Sequence, residues 1–468
     1  MRRCYCWLCV VTALIALVLM GTGSASAQGA KDDNSSAFKT KTLKNGLEII
    51  VIENHMVPIA EVELVARNGG FTESAEFSGL SHLYEHMFFK ANQKYPSQKQ
   101  FLEGMQSLGA SLGVSNATTG TEAVNYFIVI PKKNLAPGLK FMSDAIQSPL
   151  FDTAEIRKER YVVLGEFDRN EASPLFKIRY AMDSIVWSPK LFSRKEPLGL
   201  RPTILSATPE LMHTIQHRFY VPNNMALVVA GDVDANTVFA EAEAAFGSWQ
   251  RGADPFPQWD PPPFPPITKQ LVVREAPKIP YTYVQVSWQG PSMTKQDDDT
   301  YAADVFSTIL NQPNSRLQKK LVDAGLAFQA DVSYYSQKNV GPIDIRMFGP
   351  PPSTKEAIKT LLDEIKDWDA TDYFSDDELA TAKRILAGDR IYEQESATTF
   401  ATRVVPLYWA SASLGYYVNY ISNVNKVTRA DIARYVDRYI KGKNYVLGVA
   451  GTHATLDQLK LTPEEVLQ

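Results

Sequence analysis

Arg218-Phe219-Tyr220-Val221-Pro222-Asn223-Asn224-Met225-Ala226-Leu227-Val228-Val229-Ala230-Gly231 reads as a helix end, a short connection and an apolar strand closed by glycine. The frame returns 220 residues later as Arg438-Tyr439-Ile440-Lys441-Gly442-Lys443-Asn444-Tyr445-Val446-Leu447-Gly448-Val449-Ala450-Gly451. Arg218, Phe219, Asn224, Leu227, Val229, Ala230 and Gly231 meet Arg438, Tyr439, Asn444, Leu447, Val449, Ala450 and Gly451, and a helix opens before each copy at Thr208 or Thr428. One offset that fits a helix, its connection and a strand argues for internal duplication. Each copy mixes helices with strands. The expected fold is therefore α+β, with two duplicated α/β sandwich halves, mostly antiparallel sheets and helices packed on one face.

Between the copies, Pro255, Pro257, Pro261, Pro262, Pro263, Pro265 and Pro266 crowd into twelve residues. Proline fixes φ and donates no ladder hydrogen bond, so residues 251–268 read as an extended linker between halves at 38–250 and 269–468. In the first half, the apolar runs 47–52 and 59–66 read as two strands of a hairpin. Residues 79–90 and 153–167 have helical spacing, while 126–130 and 225–230 are strands.

The chain has 468 residues, 45% hydrophobic and 21% charged, with a net charge of -4. Disordered, collagenous and small disulfide-stapled classes are excluded by that composition, and nucleic acid is a poor partner for it. Arg2 and Arg3 precede an apolar run from Trp7 to Met20, which ends in small residues and Ala25-Ser26-Ala27. This pattern is that of a secretory signal peptide over 1–27, followed by a flexible tail over 28–37. The run falls short of the roughly 20 residues that a spanning helix needs, so no permanent membrane anchor is expected. Cys4, Cys6 and Cys9 all lie within the leader. The mature chain would enter an oxidising compartment, most simply the periplasm, without a disulfide framework.

Gly79-Leu80-Ser81-His82-Leu83-Tyr84-Glu85-His86-Met87-Phe88-Phe89 carries the chemistry. Leu80, Leu83, Tyr84 and Met87 share one helical face, and His82, Glu85 and His86 share the other. Histidines four apart bring both imidazoles over one point, as a zinc clamp requires. Glu85 lies close enough to reach a water there without binding the metal. A catalytic zinc wants three protein ligands and an open position, so one ligand must come from elsewhere. The helix after Thr153 offers two carboxylates seven apart on one face, Glu159 and Glu166.

With those motifs, the sequence resembles the M16 metallopeptidases, the inverted-zincin group, and in particular the zinc-bearing subunit of heterodimeric bacterial members. The resemblance implies one zinc per chain held by His82, His86 and Glu166. It also implies that Glu85 is the general base and that Glu159 is a carboxylate orienting the site. Asn116-Ala117 resembles the family's substrate edge, where a peptide adds as an extra strand. The implied activity is an exported zinc endopeptidase acting on unfolded peptides or short polypeptides.

One departure stands out. The family's C-terminal Arg and Tyr, seven apart, correspond here to Leu321 and Phe328, within Asn314-Ser315-Arg316-Leu317 and Gly325-Leu326-Ala327-Phe328. A phenyl ring donates no hydrogen bond. A homologous subunit carrying the pair is the expected partner, with a homodimer as the other assembly; Lys319, Lys320, Tyr334 or Tyr335 is the local substitute. The alternative function is a non-catalytic peptide-binding or scaffold subunit with a structural zinc. His213 and His217, also four apart, lack an acidic companion and read as surface or packing residues.

Overall fold

The run Met225–Gly231 becomes the centre of a sheet, because all seven of its residues are buried and its backbone needs a neighbour on each side. The computed structural model describes residues 38–187, 196–256, 264–276, 278–294 and 297–467; the expected leader and tail lie outside them. Strands β1 (Lys39–Thr42), β2 (Glu48–Glu53), β3 (Ile59–Ala66), β4 (Asn116–Thr119), β5 (Val124–Pro131) and β6 (Met225–Gly231) form the first sheet, in the order β1-β2-β6-β3-β5-β4. Strands β7 (Gln270–Glu275), β8 (Thr282–Gln289), β9 (Gln329–Tyr334), β10 (Pro342–Gly349) and β11 (Val446–Gly451) form the second, in the order β7-β11-β8-β10-β9.

The two orders superpose strand for strand from β2 onward. In each sheet the strand of the repeated segment pairs parallel on one side and antiparallel on the other. All remaining pairings are antiparallel. The hairpin expectation is corrected here. β2 and β3 do not touch as ladder partners, because β6 lies between them and Val229 faces both Val51 and Val62. Alternation along β2 and β3 marks them as strands, but only the wholly apolar β6 can fill the slot where both faces are buried.

Helices α1 (Leu80–Phe88), α2 (Gln98–Ser107), α3 (Leu135–Gln147), α4 (Thr153–Glu171) and α5 (Phe176–Val186) follow in the first half. Residues of α1, α3 and α4 share one apolar core with Val51, Val62, Leu64, Tyr126 and Leu227 of the first sheet. The opposite face is not bare, as a one-sided layer would leave it. Helix Ala397–Arg403 of the second half packs on β6 and β3, and α5 packs in return on β11 and β7. Each half thus lends a helix to the other's sheet. Contact is so close that Gly448 leaves no room for a Cβ beside the Met182 sulfur.

Polar groups bind the halves as well. The Arg67 guanidinium lies 3.6 Å over the Trp409 ring, whose indole N–H donates to Glu48 at 3.1 Å. On β3, Glu61 and Glu63 point to the same face, both fully buried. Thr402 Oγ1 donates to Glu61 at 2.9 Å, and Asn125 donates to Glu63 at 2.5 Å and to the Thr402 carbonyl at 3.2 Å. Among the described residues no cation bonds either carboxyl. Burial pushes the Glu61 pKa up to about 8 against the Thr402 bond, and Glu63 well above the carboxylate range, with Glu61 adding repulsion.

An acid whose native pKa is raised stabilises the fold fully below its unfolded pKa and loses that contribution as pH climbs through the native value. The melting temperature is therefore expected to fall by a few degrees between pH 5 and pH 9, and Glu61→Gln to flatten that slope. Parallel pH profiles by calorimetry check this; identical slopes in the two proteins would refute it.

Candidate metal centre

Helix α1 starts at Gly79, whose φ of 88° suits glycine and whose absent side chain lets the Leu198 carbonyl come close. No side chain of residue 79 caps the helix. The buried Glu73 carboxylate does so instead, accepting from Gly79 N at 2.6 Å and Ser81 N at 2.7 Å. Ser81 Oγ donates to Asn68 at 3.0 Å. Leu80, Leu83, Tyr84 and Met87 turn into the core, and Tyr84 stacks on Tyr220 with ring centroids 4.0 Å apart.

Helix α4 begins at Asp152, whose carboxylate accepts from Ala154 N and Glu155 N at 2.8 and 2.9 Å. It buries Ile156, Glu159, Val163 and Phe167. The polar face of α1 therefore meets α4 and not solvent: the His82 and His86 side chains are 13% and 15% exposed.

Among the described residues, His82, His86 and Glu166 form the one group of three metal-ligating side chains whose ligand atoms all lie within 4.8 Å of one another. The two Nε2 atoms are 3.2 Å apart. Glu166 Oε2 lies 3.3 Å from His82 Nε2, and Oε1 lies 3.8 Å from His86 Nε2. Tetrahedral zinc with nitrogen ligands near 2.05 Å requires nitrogens about 3.3 Å apart, so the two imidazoles fit that ion. Burial, with repulsion from His86, lowers the His82 pKa to about 4, which favours the neutral ligand form.

Supporting groups surround the triad. Glu159 Oε1 meets His86 Nδ1 at 2.8 Å, and its other oxygen meets Lys90 Nζ at 2.6 Å. Burial would raise the Glu159 pKa, but these two partners outweigh it and hold the group below its ordinary value. Such a carboxylate fixes the tautomer and the ring plane of a ligating histidine. Lys90 was not singled out from the sequence, although it stands one turn beyond His86. Glu85 lies on the same helix, and burial raises its pKa against a hydrogen bond from Thr119.

Asn116 and Ala117 lie on β4, the edge strand of the first sheet. Asn116 is exposed and Ala117 is buried. The two departures fare differently. Phe328 is 66% exposed, whereas Leu321 is packed within the core. The solvent face of that turn belongs to Lys319 and Lys320, and Lys320 is paired with Glu364 at 3.2 Å. Tyr334 donates to the Pro291 carbonyl at 3.1 Å, and Tyr335 is exposed. His213 rests edge-on against Phe151, with centroids 4.8 Å apart.

Residues 48–187 match the family described as Insulinase (Peptidase family M16), and residues 206–386 match the Peptidase M16 inactive domain. An uncharacterized zinc protease of Rickettsia felis is 31% identical over 215 residues, which is 46% of this chain and 51% of that protein. The match thus spans about half the length of that relative. The zinc protease PqqE of Helicobacter pylori is 25% identical over 70% of this chain and 75% of its own. The crystal structure of the periplasmic protease PqqL from Escherichia coli superposes with a TM-score of 0.77 at 18% identity, covering 92% of this chain and 49% of that one.

Removing the hydrogen bond behind a ligating histidine costs about tenfold to a hundredfold in metal affinity. Glu159→Gln is expected to show that loss in a chelator competition for zinc, and Lys90→Met a smaller loss in the same direction. His82→Ala should abolish tight binding. Unchanged affinity in Glu159→Gln would remove the role given to that carboxylate.

Proposed function

Because the chain belongs to the M16 peptidase family, we propose that it is an exported zinc endopeptidase of unfolded peptides or short polypeptides, with one zinc held by His82, His86 and Glu166. The observation that carries the reading is the convergence of two imidazole nitrogens and one distant carboxylate to within 4.8 Å of one another. Zinc bound there supplies Lewis-acid activation of water and of the scissile carbonyl. Glu85 takes the proton from the attacking water and returns it to the leaving amine. Glu159 orients His86. A peptide adds to the outer edge of β4 beside Asn116 and Ala117, its backbone completing hydrogen bonds that an edge strand leaves open.

The same reading takes 1–27 as a signal peptide, 28–37 as a tail, and 38–250 and 269–468 as homologous domains joined by 251–268, with the mature protein in the periplasm. The location of the Escherichia coli structural neighbour supports this. That neighbour is about twice as long, so a second homologous chain is proposed to complete the assembly and to supply the missing Arg and Tyr. The exposed Phe328, which has no hydroxyl to offer, favours a second reading as well: a peptide-binding subunit whose zinc is structural.

Glu85→Gln is expected to lower peptide hydrolysis by about a hundredfold or more while zinc content stays at one per chain. A fluorogenic peptide assay beside metal analysis checks both, with the chain alone and with a homologue bearing the Arg and Tyr. Full activity of the Gln variant would discard Glu85 as the base; tight peptide binding with no turnover in any combination would favour the second reading.

A further inference from the structure

We propose that Thr119 is the positioning residue of Glu85, tying one oxygen of that carboxylate to the strand which a peptide substrate joins. This inference rests on the proposed role of Glu85 as general base. Thr119 Oγ1 donates to Glu85 Oε2 at 2.6 Å. A hydrogen bond to a carboxylate at that length is short and strong. Among the described residues no donor reaches the second oxygen, Oε1. One oxygen is therefore anchored and the other is left for the water.

The geometry follows from the period of the strand. Successive side chains of β4 point to opposite faces, so Ala117 and Thr119 share one side and Asn116 and Thr118 share the other. Ala117 is buried in the core that contains Leu83, Tyr84 and Met87 of α1. Thr119, two residues on, consequently reaches the next polar position of α1, which is Glu85. Thr118 turns the other way and bonds Asn125. β4 thus has two separate uses: its free edge faces a substrate backbone, and one side chain holds the base at a set distance from that backbone. A glutamate has three side-chain torsions, and without the anchor its carboxylate would sample several rotamers. Only some of those would meet a water beside the triad. Holding the base in place changes the rate of the chemical step without adding to ground-state binding of the peptide.

Thr119→Val keeps the shape and removes the donor, Thr119→Ser keeps the donor, and Thr119→Ala serves if the Val variant does not fold. In the zinc-loaded full chain, with the homologous partner present where activity needs it, Thr119→Val is expected to lower kcat about tenfold or more with KM within about twofold. Thr119→Ser should restore kcat to within about threefold of the parent, and Thr119→Val added to Glu85→Gln should cost nothing further. A crystal structure of zinc-loaded Thr119→Val should show the Glu85 carboxylate turned away from its present position or spread over rotamers. Parental kcat in the Val variant, or a Glu85 side chain in the same place, would overturn the proposal. If Glu85→Gln keeps activity, the base assignment fails by itself, and the crystallographic comparison still decides whether Thr119 holds the carboxylate.

Discussion

The Nε2 atoms of His82 and His86 lie 3.2 Å apart, on side chains mostly withdrawn from solvent. That is close to the separation two nitrogens keep when they share one tetrahedral zinc ion. The first half is organised to keep that geometry. Glu73 holds the start of α1, the stacked Tyr84 and Tyr220 hold its underside, and α4 closes over its polar face with Glu159 and Glu166 one either side of Val163. The triad is thus the meeting of two helices whose own ends are capped and whose apolar faces are spent in one core.

The second half shows what the same scaffold does without the metal chemistry. Val62 and Val284 hold equal places opposite Val229 and Val449. Carrying that offset of 222 along the chain sets Leu80, Leu83, Tyr84, Met87 and Phe88 on Ala302, Val305, Phe306, Ile309 and Leu310, all buried. The polar face is rewritten: Asp304, Ser307 and Thr308 stand at the places of His82, Glu85 and His86. Asp304 accepts from the Tyr420 hydroxyl at 2.6 Å. The Arg390 guanidinium lies 4.0, 4.7 and 4.9 Å from the Tyr420, Tyr417 and Tyr408 rings. An arginine, an aspartate and a ring of tyrosines satisfy one another here through hydrogen bonds and cation–π contact.

Exchange of helices between the halves explains why the buried carboxyls Glu61 and Glu63 are tolerated. They lie where the first sheet accepts helix Ala397–Arg403, and Thr402 offers one hydroxyl donor to the pair. A one-sided sheet would leave these side chains in water. Covered by a helix whose Thr402 stands 341 residues from Glu61, both carboxyls hold their protons more tightly than an exposed carboxylate does.

By itself the sequence determined the duplication, the α+β class, the helical face shared by His82, Glu85 and His86, and the pairing of Glu159 with Glu166. These are properties of period and spacing, which a residue carries wherever its neighbours in the chain are known. Tertiary structure alone decided that β6 separates β2 from β3, that Lys90 backs Glu159, that Thr119 reaches Glu85, and that Leu321 faces the core while Phe328 faces solvent. Those contacts join residues tens to hundreds of positions apart, or depend on which side of an element its partner approaches. A helical or strand period gives the relative direction of side chains and says nothing of what stands opposite them.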